Sequence, residues 1–370
     1  METLRRLTSI GLMSGTSIDG VDAALVETDG VDVFANKVSL TRHYDDSLKE
    51  AIRTLLGEKG QQDKERLRKI EVLLTMFHVQ AVKDLLSEAG KTIKDIDVIG
   101  FHGHTVFHNP AYHITRQIGD AALLANELKV PVVSRFRNVD VKAGGEGAPL
   151  EPAYLMAISE DMPKPLGFVN IGGVANITVI GVNGEMLAFH TGSGNALLDD
   201  WMRKRHGVEM DFDGVMAARG TPDEKIVAHL LEDDFFKKVP PKSLDRDYFA
   251  YALKDIDGLS VPDGAATLTA FTAAAIADSV KNYVQDKPLK WIAYGGGANN
   301  PTIIRFLRNY LQTPVETASQ IGWNGNTLEA QSFAFLAVRS LFGLPLTFPA
   351  TTGVPEPSSG GKVFYPEVEV

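Results

Sequence analysis

The chain has 370 residues, which at roughly 100–200 residues per domain predicts two domains, three at most. Hydrophobic residues make up 44% and charged residues 23%, a balance that excludes a disordered or fibrous chain and allows a core needing no disulfide or structural metal. Cysteine is absent, which excludes thiolate chemistry and fits a reducing cytoplasm, and the net charge of −10 argues against nucleic acid or an anionic membrane as partner.

The N-terminal run Leu7 to Met13 is too short and glycine-interrupted for a secretory leader. No apolar run approaches the ~18–20 residues of a membrane span. Ser9 to Met13, the turn-rich Ser14 to Gly20 (SGTSIDG) and Val21 to Thr28 predict a hairpin. Helical spacing follows at Asp46 to Leu56 and Lys64 to Ala89, the latter with a stripe of Ile70, Leu73, Leu74, Phe77 and Ala81. Ile96 to Phe101 is a buried-strand pattern ending in an HGHT turn, Ala121 to Leu128 a helix, and Val130 to Val133 a strand.

The second half opens in a similar way. Gly167 to Asn170 leads into Ile171-Gly172-Gly173, then Ala175 to Ile180, the hairpin signal Asn183-Gly184, and Met186 to Phe189. A helix is expected over Ala196 to Lys204 and a buried one over Ala265 to Val280. Trp291 to Tyr294 reads as a strand, Gly295 to Gly297 as a turn, and Pro301 to Leu311 and Thr327 to Leu341 as helices. Strand–glycine turn–strand thus occurs near residue 10 and again near residue 170. That is a duplicated α/β architecture, with a small-molecule cleft expected between the domains.

Glycine turns after strands can bare backbone N–H groups to phosphate oxygens. One alone is commonly a plain tight turn, but SGTSIDG, IGGVAN (Ile171 to Asn176) and GGGANN (Gly295 to Asn300) together point to a nucleotide. No P-loop, Rossmann or protein-kinase signature accompanies them. Asp19, Asp22 and Glu329 are the carboxylates available for Mg²⁺, or else they cap turns and helices. Four of nine histidines fall at His102, His104, His108 and His113. His102 and His104 would share one strand face, but nothing else has matching metal-ligand spacing, so a substrate-facing loop is expected. Arg135 and Arg137 precede a glycine-rich loop and suit an anionic substrate, or a solvated surface.

The strings GLMSGTSIDGVDAALVETDG, FHGHTVFHNP, RQIGDAALLA, AGGEGAPLEPAY, VNIGGVANIT, TGSGNALLDDW, PPKSLDRDYF, YGGGANNP and LEAQSFAFLA run in order over nearly the whole chain. Together they resemble the anhydro-N-acetylmuramic acid kinase family of the acetate and sugar kinase/actin superfamily. The resemblance implies a duplicated ribonuclease-H-like (actin-like ATPase) fold, with residues 1–160 as one domain, 161–344 as the second, and the tail 345–370 packing back on the first. It implies ATP and Mg²⁺ as cofactors, an amino sugar as substrate, a cytoplasmic location and a homodimer. The Ala-rich segment 265–280 serves either core or interface.

The implied reaction opens the 1,6-anhydro bridge with water activated by a base while O6 takes the γ-phosphoryl group, in cell-wall recycling. The resemblance assigns ATP binding to Ser14, Gly15, Thr16, Ser17, Ile18, Asp19 and Gly20, to Gly172, Gly173 and Asn176, to Gly192, Gly194 and Asn195, and to Gly295, Gly296 and Gly297. It assigns the sugar to His102, His104, Thr105, Asp120, Arg135, Arg137, Gly145 and Glu146, and the metal to Asp19 and Glu329. Catalysis falls to Glu329 and position 190.

This chain departs from the family pattern at the sugar end. Phe189-His190-Thr191-Gly192-Ser193-Gly194-Asn195 stands where the family has FDxGPGN, so His190 replaces the catalytic aspartate. His104 replaces the glutamine of HGQT, Arg135 the aspartate of DFR, and Glu146 the glutamine of GGQGAPL. The exchanges together predict a more positive pocket. Neutral imidazole is a competent base, although it lacks the carboxylate's negative charge. Three readings stay open: a kinase with His190 as base, or with Asp19 or Asp120 in its place; a kinase of a different, more anionic sugar; and an ATP-binding protein without turnover. A chaperone ATPase on the same fold is disfavoured, since no peptide-binding domain follows residue 370.

Overall fold

The computed structural model describes residues 4–57, 60 and 62–367. Residues through Glu160 together with those from Asn326 onward form one unit, and Asp161–Gly325 forms the second. No helix among the described residues is long and apolar enough to cross a membrane.

In the first unit β1 (Leu7–Ser14), β2 (Gly20–Thr28) and β3 (Val33–His43) form an antiparallel meander. Against β1 lies β4 (Val98–Asn109) in parallel, and beyond it β6 (Val132–Ser134), also parallel. β5 (Ile114–Ile118) pairs with the far end of β4. In the second unit β7 (Leu166–Ile171), β8 (Val174–Ile180) and β9 (Met186–Ser193) repeat the meander. β10 (Lys290–Tyr294) and β11 (Val315–Thr317) extend it in parallel from β7. The first sheet runs β3-β2-β1-β4-β6, with β5 off this path on β4, and the second runs β9-β8-β7-β10-β11; an antiparallel meander extended by two parallel strands recurs in both, which is the ribonuclease-H-like topology. The chain is a duplicated ribonuclease-H-like α/β protein.

Helices of the first unit include α1 (Asp46–Arg53), α2 (Lys64–Ala89) and α3 (Ala121–Leu128); those of the second include α4 (Ala196–His206), α5 (Val261–Tyr283) and α6 (Pro301–Leu311). The buried side of α2 runs through Leu67, Ile70, Leu74, His78, Ala81 and Leu85, whereas Leu73, expected inside, is 59% exposed. The stripe is rotated because His78 goes inward, its ring against Phe101 at 4.9 Å. α5 is buried throughout residues 264–276, so it serves the core of its unit. Gly264 is needed there, since a Cβ would lie 2.3 Å from the Trp201 ring.

α7 (Leu328–Leu341) belongs to the first unit, so the chain returns to it at Asn326 and not at residue 345. It lies directly on β1 and β4, where Gly11 and Gly100 are register partners. A Cβ on Gly11 would stand 1.8 Å from the Ala330 carbonyl oxygen, and one on Gly100 2.1 Å from that of Phe333. Two glycines side by side thus make a shallow seat for the helix backbone, and Ser9 Oγ donates to the Ala334 carbonyl (2.9 Å) to hold it. Downstream, β12 (Lys362–Phe364) adds to the sheet edge beside β6.

HGHT is not a turn. It lies inside β4, where Leu12 pairs with Phe101 but Ser14 with His104, an extra residue on β4. Gly103 takes φ +75° within this bulge. A bulge re-aims the side chains beyond it, which is why His102 and His104 do not share one face and go to different partners.

Candidate active site

In the first unit the turn Gly15–Ile18 closes with the Ile18 N–H on the Gly15 carbonyl (3.1 Å), and Ile18 is held at φ +58°. Ser17 Oγ donates to Asp19 Oδ1 (2.7 Å), leaving an exposed acidic turn. Behind it the Tyr44 hydroxyl donates to Ser14 Oγ (2.7 Å), which lies 2.9 Å from His104 Nδ1. Burial pushes His104 down to about 3, so the ring is neutral and its Nδ1 shares a hydrogen bond with the Ser14 hydroxyl. His104 is therefore a prop beneath the turn.

Asp22 sits on β2, not in the turn, and accepts from Thr41 Oγ1 on β3. Desolvation raises its carboxyl from 3.8 to about 7; the Thr41 bond opposes this, and the charge of Asp19 adds to it. At the start of α7, burial drives Glu329 well above the ordinary range. The neighbouring Glu151, through its charge and a shared hydrogen bond, pushes it further; Arg137 pulls it down and Asp22 pushes it up. Glu329 thus holds its proton more tightly than an exposed carboxyl does, and it is hydrogen-bonded to Glu151.

The cation in this cluster is held firmly. Arg137 Nε donates to His102 Nε2 (3.0 Å) and Nη1 to the Gly147 carbonyl (2.7 Å). That fixes His102 as the Nδ1–H tautomer, its ring tilted against Phe333 with centroids 4.6 Å apart, and burial with the Arg137 charge holds it neutral. The loop carrying Gly147 is built on buried Asp140, which accepts from the Gly147 N–H and from Thr352 Oγ1, each at 2.6 Å. Gly145 is needed because a Cβ would meet Asp140 Oδ1 at 2.3 Å, and the Glu146 N–H bonds the Thr352 carbonyl (2.6 Å). Thr105 accepts from Gln117 (3.2 Å), and Asp120 caps α3 and pairs with Arg68 (2.6 Å).

The second unit gathers its glycine turns into one place. The Asn195 N–H bonds the Gly172 carbonyl (2.7 Å), the Gly194 N–H that of Gly173 (3.0 Å), and Asn195 Nδ2 that of Ile171 (3.3 Å). Gly295, at φ +80°, and Gly297 pack against Asn170, Ile171 and Asn195. The glycines differ in reason. At Gly194, Gly295 and Gly297 a Cβ would collide with protein atoms at 2.2–2.5 Å. At Gly15, Gly172 and Gly296 the nearest protein atom is 3.5–3.8 Å away and φ is not left-handed. Neither packing nor backbone conformation requires glycine at those three, so their backbone is open on the Cβ side.

His190 lies on β9 opposite Asn176, and Gly192 follows at φ +150°. Its backbone N–H bonds the Lys242 carbonyl (3.0 Å), and its ring Nδ1 accepts the Leu244 N–H (3.1 Å). With Nδ1 an acceptor, the single ring proton of neutral His190 is on Nε2.

The sequence matches the profile of the anhydro-N-acetylmuramic acid kinase family over residues 7–366. The chain belongs to that family. It is 48% identical over 360 residues to the anhydro-N-acetylmuramic acid kinase of Paramagnetospirillum magneticum, covering 97% of this chain and 99% of that one. It is 46% identical over 363 residues to that of Rhodospirillum rubrum, covering 98% and 95%. Among solved structures it is similar to the (R)-2-hydroxyglutaryl-CoA dehydratase component A of Acidaminococcus fermentans, with a TM-score of 0.48 and 11% identity over 90% of this chain and 98% of that one.

Of the residues assigned by family resemblance, the first unit brings together the Ser14–Asp19 turn with His104, and separately Arg137, His102 and Glu329. The second collects Gly172, Gly173, Gly194, Asn195 and Gly295 to Gly297. Glu151, Asp140, Thr41 and Tyr44 complete these clusters without having been singled out. A lone Glu beside a proline and a Thr in a strand carry no local signal; only the fold brings them to the charged groups.

Proposed function

We propose that this chain is an ATP-dependent kinase that opens 1,6-anhydro-N-acetylmuramic acid and phosphorylates O6. Water adds to C1, the C1–O6 bond breaks, O6 takes the γ-phosphoryl group, and ADP and N-acetylmuramic acid 6-phosphate leave. The role is recovery of cell-wall amino sugars in the cytoplasm. The observation that carries the reading is Asp22, a buried carboxyl titrating near 7 in the unit that also holds the open Gly15 turn, in a chain of this family.

Gly15, Gly172 and Gly296 leave room for phosphate oxygens, and Ser14 and His104 brace the first of these turns. Asp22, titrating near 7, takes the proton of the attacking water, since a base works best near its operating pH. The hydrogen-bonded Glu329 and Glu151 carboxyls beside Arg137 supply oxygen acceptors for positive charge developing at C1. Mg²⁺ accepts one or two carboxylates with phosphate oxygens and water, and exposed Asp19 suits this. Buried Glu329, already hydrogen-bonded to Glu151, suits it less, and among the described residues no trio of acidic or histidine side chains is grouped for a metal. The ion, when bound, would neutralise phosphate charge.

In this arrangement His190 is a hydrogen-bond donor. A ring whose Nδ1 accepts the Leu244 N–H has no lone pair left to take a proton from water. The same bond favours a second reading, nucleotide binding without turnover. Coupled ADP release with 1,6-anhydro-N-acetylmuramic acid, run on the unaltered chain and on His190→Asp, separates the two. Turnover by the unaltered chain supports the kinase with a base other than His190; turnover by His190→Asp alone supports the inactive form. The homodimer, also part of the proposal, is checked by light scattering of the purified chain.

A further inference from the structure

Beside His102 the first unit has a cavity of about 410 Å³, enclosed by β5, β6, the start of α3 and the tail strand β12. Three of its lining residues are arginines: Arg68, Arg116 and Arg135. They are not equivalent. Arg68 is neutralised by its 2.6 Å pair with Asp120 and by the charge of Glu71. Arg116 and Arg135 have no acidic partner among the described residues.

Arg135 is also preset. It follows β6 at φ +60°, a left-handed conformation that a long side chain keeps only where its surroundings impose it. Its guanidinium lies over the Phe364 ring, 5.5 Å from the centroid, and Phe364 is fixed by pairing of β12 with β6. The platform holds the cation in place without neutralising it. Thr115, Gln117, Ser134 and Asn138 line the same cavity, a hydroxyl- and amide-rich wall suited to a sugar. The family pattern has aspartate at position 135, so the cation there is a departure of this chain.

We infer that Arg116 and Arg135 are the specificity-determining pair of this chain and grip the carboxylate of a sugar acid in this cavity. The inference rests on the proposed amino-sugar substrate and names the part of it that this chain selects. Guanidinium groups bind carboxylates through paired N–H donors, so a neutral sugar of the same ring would lose that anchor.

The test is calorimetric binding of 1,6-anhydro-N-acetylmuramic acid and of neutral 1,6-anhydro-N-acetylglucosamine to the unaltered chain, Arg116→Ala, Arg135→Ala and the double variant. Both arginines are exposed, so each variant should keep its melting temperature. The expected result is at least ten-fold tighter binding of the acid, several-fold loss in each single variant, and equal binding of both sugars in the double variant. The neutral sugar should change by less than two-fold. An acid preference that survives the double variant overturns the inference, as does equal weakening of both sugars. Inorganic phosphate displacing the sugar acid at equal concentration would also overturn it in favour of a phosphate site. Arginine-dependent acid binding without ADP release would sink the kinase reading alone; ADP release with arginine-independent binding would sink only this one.

Discussion

Gly11→Ala should dislodge the helix that carries Glu329. The added Cβ would lie 1.8 Å from the Ala330 carbonyl oxygen and 2.4 Å from the Ala334 nitrogen. Ordinary contact begins near 3.4 Å, so α7 would have to retreat by about 1.6 Å. No rotamer can relieve a clash between a methyl and a backbone. Overpacking usually costs about 1–3 kcal/mol, and this change belongs at or above the upper end. In a unit of this size about 3 kcal/mol corresponds to a melting temperature lower by roughly 6–12 °C. Misplacing a reacting group by 1 Å costs on the order of 100-fold in rate, so kcat should fall by at least that factor. Calorimetry and coupled ADP release check both numbers. Gly258→Ala serves as control, since a Cβ there meets nothing within 4 Å. A Gly11→Ala chain as stable and active as the control would refute the direct seating of α7 on β1.

Asp22→Asn should flatten the stability profile between pH 4 and 7. The native carboxyl binds its proton up to about 7 and the unfolded one only to 3.8, so stability falls as pH rises through that window. At pH 8 the variant should gain on the order of 1–2 kcal/mol, allowing for relaxation around the largely buried site, by urea titration. Its turnover should nonetheless fall by about 100-fold or more if Asp22 is the base. His104→Gln should retain an acceptor for Ser14 and stay within about 1 kcal/mol of the unaltered chain at pH 7.5. Because native His104 resists protonation down to about 3, the unaltered chain loses stability as pH falls below 6.5, and the variant's acid limb should be shallower by circular dichroism. Asp140→Ala leaves the Gly147 N–H and Thr352 hydroxyl without their acceptor. It should cost about 2–3 kcal/mol and raise the sugar KM more than it lowers kcat, measured by denaturation and steady-state kinetics.

By itself the sequence determined the local elements. Alternating and helical periodicity and the glycine turns marked both hairpins and most helices, because such signals lie within a few neighbouring residues. The duplication was legible for the same reason, since strand–turn–strand recurs with similar chemistry in each half. The edge strands β3, β5, β11 and β12 and the bulge at Gly103 were not legible, because pairing partners define them and their own composition does not. Only tertiary structure decided which residues carry charge chemistry. Asp22 titrates near 7 through burial beside Asp19, and Glu329 holds its proton more tightly because it is buried and because Glu151, far away in sequence, shares its pocket. The tautomer of His190 likewise depends on one backbone N–H that lies 54 residues away. A side chain's type is local information, whereas its solvation and hydrogen-bond partners belong to the folded chain.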